Sequence, residues 1–159
     1  MTKILVLSDI HFPTNIKSFP LDLINKYKSD IKIVFGLGDY VSQLGFDYLY
    51  SFNKEVYAVS GNMDDSIIKQ NLPSILEVKV ENINIGLIHG WGAPFGIRER
   101  IKNQFKKIDI ICYGHTHTSY FKKEENIIYF NPGSICGNKP SFGILKIENN
   151  DIDGEIISL

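Results

Sequence analysis

Two histidines follow directly on an apolar run in the segment "ICYGHTHTSYF". His115 and His117 are separated by one residue, and the chain has only 4 histidines in all. The imidazole side chain is the commonest metal ligand in proteins and also the side chain that most readily exchanges protons near neutral pH. The residue types and their spacing therefore predict a metal-binding site at the end of a buried strand, and the alternative is a solvent-exposed loop.

Other apolar runs of the chain end in the same way, with carboxylate, amide or imidazole side chains. These are Asp9 and His11 in "SDIH", Asp39 in "GLGD", Asn62 and Asp64 in "SGNMD", and His89 in "LIHG". All histidines of the chain thus follow an apolar run, and none falls on an expected surface helix. In every motif except "SDIH", a glycine beside or just before these residues lets the backbone turn sharply and approach closely.

The elements that must position these residues can be read from the apolar pattern. Predicted strands lie at 3–8, 31–36 and 55–60, with helical patterns around 18–28 and 47–53. Buried strands joined by helical crossovers indicate a parallel sheet covered on both faces. The remainder predicts a hairpin at 75–90, a helix at 97–105, a strand at 108–114 and hairpins at 119–134 and 142–159. The predicted fold is α/β, a four-layer sandwich of two mixed β-sheets flanked by helices.

The donor set itself restricts the metal. Two carboxylates, four imidazoles and one amide suit borderline divalent ions such as manganese, iron, cobalt or zinc, whereas calcium prefers an all-oxygen shell. One ion does not need so many ligands, but two ions about 3.5–4 Å apart that share a carboxylate would use all of them. Two divalent ions leave the site electropositive after Asp9 and Asp39 are counted, which favours an anionic phosphate.

The motifs "DIH", "GD", "GNMD", "HG" and "GHTH", in this order, resemble the calcineurin-like metallophosphoesterases. The short chain and the "NPGS" turn at 131–134 are most similar to the compact bacterial and archaeal phosphodiesterase branch. The resemblance implies two metal sites and one bridging carboxylate. The first metal takes Asp9, His11 and His117, the second takes Asn62, His89 and His115, and Asp39 bridges them. Manganese is the preferred ion, with nickel, iron, cobalt or zinc as alternatives.

The activity that the resemblance implies is hydrolysis of a phosphodiester by direct attack of a metal-bridging hydroxide, without a covalent intermediate. Asn62 is expected to orient the phosphate as well as to bind metal. Asp64 is the other candidate catalytic residue, and the alternative is that it only caps the next helix. The sequence departs from the family where many members carry a histidine in "GNH", because Met63 cannot donate a proton. We therefore expect a preference for esters with good leaving groups, such as aryl diesters.

Purely structural roles are alternatives for several of these residues. The aspartates could form turns or helix caps, His89 could be a core imidazole, and "NPGS" fits a type II turn. Trp91, which stands where many relatives have a second histidine, and Phe12 could stack on an aryl group or nucleobase, or could simply pack at the rim. Among functions, the alternatives are a phosphomonoesterase or nucleotide hydrolase on the same site. A metal-binding scaffold for protein interactions, like the retromer subunit that shares this architecture, is the third possibility.

Composition sets the remaining expectations. The 159 residues predict a single domain, 1–159. A net charge of -1 argues against a basic nucleic-acid binder. The partner that the resemblance implies is a small phosphodiester or nucleotide-like substrate, with association into homo-oligomers left open. No apolar run is long enough for a membrane span. Cys112 and Cys136 are too few for a disulfide framework and predict reduced thiols in the cytoplasm.

Overall fold

The computed structural model describes residues 1–16 and 18–159. This part of the chain forms ten strands, four short α-helices and two 3-10 turns. The strands are β1 Thr2–Leu7, β2 Ile31–Gly36, β3 Glu55–Ala58, β4 Ile75–Val80, β5 Ile83–Ile88, β6 Ile110–Tyr113, β7 Tyr120–Glu124, β8 Ile127–Asn131, β9 Ser141–Glu148 and β10 Asp151–Ser158. The α-helices are α1 Leu21–Asn25, α2 Gln43–Asp47, α3 Ser66–Asn71 and α4 Ile97–Lys102, and 3-10 turns cover Lys28–Asp30 and Tyr48–Phe52.

The strands form two sheets of five strands each, and both sheets are mixed. The first has the order β10-β9-β1-β2-β3, in which β1, β2 and β3 run parallel and β9 pairs antiparallel with β1. The second has the order β4-β5-β6-β8-β7, in which β5, β6 and β8 run parallel and the outer strands close hairpins. The predicted pair of mixed sheets is confirmed.

The core of the molecule lies between the two sheets. Ile4 and Val6 of β1 belong to this interior layer, together with Ile85 and Leu87 of β5, and all four side chains are fully buried. Alternate side chains of a strand point to opposite faces, so Leu5 of β1 packs instead in the cluster on the outer face of its sheet. Because both faces of β1 are covered, its sequence is a continuous apolar run rather than an alternating one.

Helices cover the outer faces of both sheets. Ile24 of α1 and Ile68 of α3 pack in the outer cluster of the first sheet, and Ile97 and Ile101 of α4 pack in that of the second. Helices of only five or six residues are too short to be stable alone, so this packing is what holds them in place. The resulting order of helices, sheet, sheet and helix is the expected four-layer α/β sandwich.

The predicted elements agree with the structure except at the helices. The helix expected around 47–53 is a 3-10 turn over Tyr48–Phe52, preceded by α2. The Ser42 hydroxyl accepts a hydrogen bond from the Gly45 amide at 3.2 Å and so begins α2 earlier than the pattern indicated. The helix expected at 97–105 ends at Lys102. Helix ends depend on such local capping contacts, which apolar periodicity does not report.

Both cysteine thiols are free. Cys112 is fully buried in β6, as expected of a core residue, and burial raises the pKa of its thiol. Cys136 is half-buried, and its Sγ lies 3.3 Å from the Ser134 Oγ. Across the described residues, no helix combines the length and the apolar character that crossing a membrane requires.

The interior layer should dominate the stability of the fold. Ile85→Ala removes a fully buried side chain from between the sheets, so the free energy of unfolding should fall by about 2–5 kcal/mol. Ile67 of α3 is 59% exposed. Ile67→Ala, the matched control, should change the free energy of unfolding by less than about 0.5 kcal/mol. Urea denaturation measures both, and equal losses would contradict the assignment of the core.

Candidate metal centre

The loops that carry the candidate ligands all follow the carboxyl ends of parallel strands. Asp9, Asp39 and Asn62 lie beyond the ends of β1, β2 and β3 in the first sheet. His89 and His115 follow β5 and β6 in the second sheet. Because parallel strands end at the same edge of a sheet, the fold brings these distant segments together there.

One group of side chains forms around Asp9. Its Oδ1 lies 3.1 Å from the Nε2 of His117 and 3.8 Å from the Nε2 of His11. The rings of His11 and His117 meet edge to face, with centroids 5.2 Å apart. Asp9 and His11 are buried, whereas His117 is 38% exposed at the side chain. These donor atoms are close enough to share one cation.

A second group forms around Asn62. Its Oδ1 lies 3.1 Å from the Nε2 of His89 and 3.1 Å from the Nδ1 of His115. The two rings again meet edge to face, with centroids 5.3 Å apart. His115 and His117 thus belong to different imidazole pairs, as the resemblance implies, although they are only two positions apart in sequence.

Asp39 lies between the two groups. Its Oδ2 is 3.5 Å from the Nε2 of His11 and 3.2 Å from the Nε2 of His89. Its other oxygen accepts a hydrogen bond of 2.7 Å from the amide of Met63. The carboxylate therefore faces both imidazole pairs with one oxygen while the second oxygen is held by the backbone.

Two buried atoms of the site have no hydrogen-bond partner among the described residues. They are the Oδ1 of Asp9 and the Nε2 of His11. A buried carboxylate oxygen and imidazole nitrogen that face each other unpaired are costly unless a further group satisfies them. Oxygen and nitrogen donors of this kind suit a divalent cation, so the residues present fit the metal that the sequence predicts.

The backbone of the site is strained. Residues with side chains rarely adopt the left-handed conformation, and such strain concentrates at functional sites. Positive φ angles occur at Asp9 (52°), His11 (46°), Asp39 (56°), His115 (69°) and His117 (57°). The segment that carries His115 and His117 is therefore not extended, and its left-handed backbone turns the two rings toward different partners.

Asp64 organises the loops rather than capping a helix. Its carboxylate accepts hydrogen bonds from the amides of Asp39 at 3.1 Å, Val41 at 2.7 Å and Gly61 at 2.7 Å. Burial raises the pKa of Asp64 although these amides oppose the shift. The cap of α3 is the neighbouring Asp65, which accepts from the Ile68 amide at 2.9 Å. The capping alternative for Asp64 is therefore wrong, and Asp64 ties the Asp39 loop to the Asn62 loop.

Backbone carbonyls fix the orientation of two imidazoles. The Nδ1–H of His89 donates to the Leu37 carbonyl at 2.7 Å, which leaves its Nε2 facing Asn62 and Asp39. The Nε2–H of His115 donates to the Gly92 carbonyl at 2.8 Å, which leaves its Nδ1 facing Asn62. Hydrogen bonds of this kind select the tautomer and aim the free nitrogen of a metal-binding histidine.

Sequence reasoning missed the residues that support Asp9. The Ser8 hydroxyl and the His115 amide donate to the Oδ2 of Asp9 at 2.6 Å and 3.1 Å, and the Ser134 hydroxyl donates to its carbonyl at 2.9 Å. Burial acts to raise the pKa of Asp9, but the neighbouring imidazoles and Ser8 hold that pKa well below its ordinary value. The only available signals were the position of Ser8 next to "DIH" and of Ser134 in "NPGS".

The "NPGS" segment has a structural role. Gly133 has a φ of 81°, as the third residue of a type II turn requires. Its amide also donates to the Asn131 Oδ1 at 2.9 Å, the contact of an Asx turn. The buried Asn131 amide group donates to the Gly114 carbonyl at 3.0 Å. The turn thus supports the loop that carries the paired histidines.

Two glycines are required by close approach at the site. A Cβ on Gly61 would collide with the backbone and carboxylate of Asp39, and one on Gly114 would collide with the Ser8 hydroxyl. Any larger residue at either position would push the ligand-bearing loops apart. The predicted use of glycine beside the motifs is thus explained by packing of backbone against the buried carboxylates.

A two-sheet α/β sandwich with a cage of carboxylate, amide and imidazole donors at its strand ends defines a metal-dependent hydrolase. The chain belongs to the calcineurin-like phosphoesterase superfamily, whose family model matches residues 2–150. By class it is a metal-dependent phosphoester hydrolase, as the five motifs predicted.

Curated archaeal relatives resemble the chain over most of its length. A "probable metallophosphoesterase" of Methanothermobacter thermautotrophicus is 29% identical over 96% of this chain and 90% of its own. A phosphodiesterase of Methanocaldococcus jannaschii is 26% identical over 94% of this chain and 95% of its own.

Solved structures share the fold. A Thermotoga maritima protein studied by NMR is 34% identical over all of both chains, with a TM-score of 0.78. Vps29 of Entamoeba histolytica, in a structure complexed with zinc, is 25% identical over 99% of both chains, with a TM-score of 0.74.

The role of Asp64 can be tested in the metal-free protein. Asp64→Asn keeps the shape of the side chain but removes one acceptor oxygen from buried amides, so the free energy of unfolding should fall by about 1–3 kcal/mol. Asp65→Asn is the matched control, since asparagine caps a helix as well as aspartate does. Urea denaturation of both variants compares them, and an equal effect would show that Asp64 has no special structural role.

Proposed function

We propose that the chain is a dinuclear metal-dependent phosphodiesterase that acts on a small phosphodiester. The observation that carries this proposal is the position of Asp39, whose Oδ2 lies within 3.5 Å of an imidazole nitrogen from each of the two pairs. In this proposal each pair and its oxygen donor hold one divalent ion. Asp9, His11 and His117 hold the first, Asn62, His89 and His115 hold the second, and Asp39 contacts both. Manganese is the preferred ion, with nickel, iron, cobalt or zinc as alternatives.

The divalent ions supply two effects when bound: they lower the pKa of a coordinated water and neutralise charge on the phosphoryl oxygens. The residues of the chain supply the geometry. His89 and His115 are aimed by the Leu37 and Gly92 carbonyls. Asn62 is exposed, so its amide lies where a phosphate arriving from solvent can be oriented by it. The buried carboxylates keep the centre fixed during turnover.

The Met63 position offers the leaving group no proton donor. Met63 takes the position of the family's histidine, and its side chain is 56% exposed while its amide is engaged by Asp39. A thioether cannot protonate an alkoxide. The chain should therefore favour diesters whose leaving groups are stable as anions, such as phenolates.

The relatives support a diester substrate and divalent metals. The Methanocaldococcus jannaschii relative carries the name phosphodiesterase, and the Entamoeba histolytica structure of the same fold is complexed with zinc. The likeness to Vps29 also favours the second candidate, a metal-binding scaffold for protein interactions. Cytoplasmic action, the absence of nucleic-acid and membrane partners and the oligomeric state stay predictions from the sequence.

Metal stoichiometry tests the dinuclear arrangement. Wild-type protein titrated with Mn²⁺ should bind about two equivalents. His11→Ala should lose mainly one of them, because His11 contacts only one group, whereas Asp39→Asn should weaken both together. Isothermal titration calorimetry measures the affinities, and metal analysis of the isolated protein gives the count.

The matched control for Asp39→Asn is Asp22→Asn on the exposed face of α1, which should bind two equivalents like the wild type. A single bound ion in the wild type, or unchanged binding in Asp39→Asn, would overturn the proposal. Two bound ions without hydrolysis of any ester would favour the scaffold.

Because Met63 stands where many relatives have a histidine, the rate of hydrolysis should depend strongly on the leaving group. The Mn²⁺-loaded protein should hydrolyse bis-p-nitrophenyl phosphate faster than glycerol phosphate by roughly 10²-fold or more, since the second substrate needs general acid help of about that size. Met63→His should lower the ratio of the two hydrolysis rates, because the imidazole can donate a proton to the leaving group. Met63→Leu should leave this ratio unchanged. Steady-state rates on both substrates decide, and equal rates in the wild type would refute the prediction.

A further inference from the structure

A cleft adjoins the Asn62 and His89 side of the metal centre. Its volume is about 420 Å³, within the range of pockets that bind small molecules. Its walls come from loops after β3 and β5, from α3 and from the segment after α4. The lining residues that matter here are the apolar Ile75, Ile88 and Trp91, the neutral polar Ser60, Ser74 and Gln104, and the cationic Lys69.

Trp91 lines this cleft. It is the only tryptophan of the chain and is 44% exposed. The Arg100 guanidinium holds its loop, donating to the Trp91 carbonyl at 2.8 Å and to the Phe95 carbonyl at 3.0 Å. Arg100 of α4 therefore fixes the loop at 91–95. The Gly92 carbonyl accepts from His115, so the loop that presents the indole is also joined to the metal centre.

The other sequence candidate for stacking does not share this position. Phe12 meets Tyr48 edge to face at 5.2 Å and lines a separate hollow with Leu44 and Ser51. Phe12 therefore has the packing role that was the alternative to stacking on a substrate. Trp91 is the aromatic residue beside the Asn62 group.

The cleft combines an apolar surface with a few polar groups. Ile75 and Ile88 lie in its lining with Trp91, while Ser60, Ser74 and Gln104 offer hydroxyl and amide donors and acceptors. A plain alkyl chain would leave those polar groups unused. A flat aromatic ring with polar edges uses both, because its face stacks on indole and its edge forms hydrogen bonds.

A second cleft adjoins the other side of the centre, at His117, and its chemistry differs. It is lined by Asn15, Ser119, Asn138 and Lys139 among others, all polar or charged side chains. That surface suits a sugar or another polar group. The two clefts thus differ in chemistry on the two sides of the metal centre.

We propose that the Trp91 cleft binds a nucleobase, so that the substrate is a phosphodiester containing a nucleotide. The base stacks on the indole of Trp91 while the phosphate lies at the metal centre. This inference rests on the proposed function for the position of the phosphate, but the cleft itself is a separate feature of the chain.

Binding of AMP and ribose 5-phosphate to the Mn²⁺-loaded protein tests the inference, because the two probes differ only in the base. Calorimetry should give AMP a Kd at least about fivefold lower, the smallest effect that base–aromatic stacking gives on alanine substitution. AMP should also quench the fluorescence of the single tryptophan to saturation, and ribose 5-phosphate should not. Equal Kd values for the two probes would overturn the inference.

Trp91→Ala and Phe95→Ala form a matched pair on the same loop. Phe95 is 93% exposed and does not line the cleft, so Phe95→Ala should keep the preference for AMP. Trp91→Ala should bring the two Kd values within about twofold of each other. A preference that survives in Trp91→Ala would overturn the inference, and so would phenyl phosphate binding as tightly as AMP, since it carries a ring without the polar edge.

The result separates this inference from the proposed function. Hydrolysis of bis-p-nitrophenyl phosphate without any preference for AMP would leave the phosphodiesterase standing and refute the nucleobase site. A preference for AMP that depends on Trp91, without hydrolysis of any diester, would support the nucleobase site and refute the enzyme.

Discussion

The structure depends on two buried carboxylates that are placed among four imidazoles at one edge of an apolar sandwich. Asp9 is fully buried and Asp39 is 3% exposed, and an ionised carboxylate without compensation is very costly in such a place. Amides and hydroxyls satisfy one oxygen of each, and the other oxygen faces the imidazole nitrogens. The folded chain thus holds oxygen and nitrogen donors in positions that suit a divalent cation.

That requirement explains the unusual backbone around the site. Left-handed residues cost free energy and persist only where their surroundings hold them, and here each strained loop is tied to another. Asp64 joins the loops after β2 and β3, and the turn at 131–134 holds the loops after β1 and β6 through Ser134 and Asn131. These hydrogen bonds connect the loops to one another, and those of Asp64 hold the loop that carries Asp39.

The sheets, by contrast, follow directly from local pattern. Continuous apolar runs predicted the parallel strands, because a strand buried on both faces requires apolar residues at successive positions. Asn, Asp or Gly turns predicted the hairpins, because a tight reversal of the chain favours these residue types. The helices were predicted less well. They are short, they begin at capping contacts such as that of Ser42, and their stability comes from the sheet beneath them.

The sequence by itself determined the family, the layered fold and the set of candidate donor residues, because five ordered motifs tie particular side chains to strand ends. The pairing of the imidazoles and the position of Asp39 between the pairs were implied by the family resemblance, and the structure brings the side chains together in that arrangement. Tertiary structure alone decided that Asp64 and Arg100 hold loops together. It also decided that Trp91 lines a cleft while Phe12 packs against Tyr48. These features depend on distances between segments far apart in the chain, and residue types and local spacing carry no record of such distances.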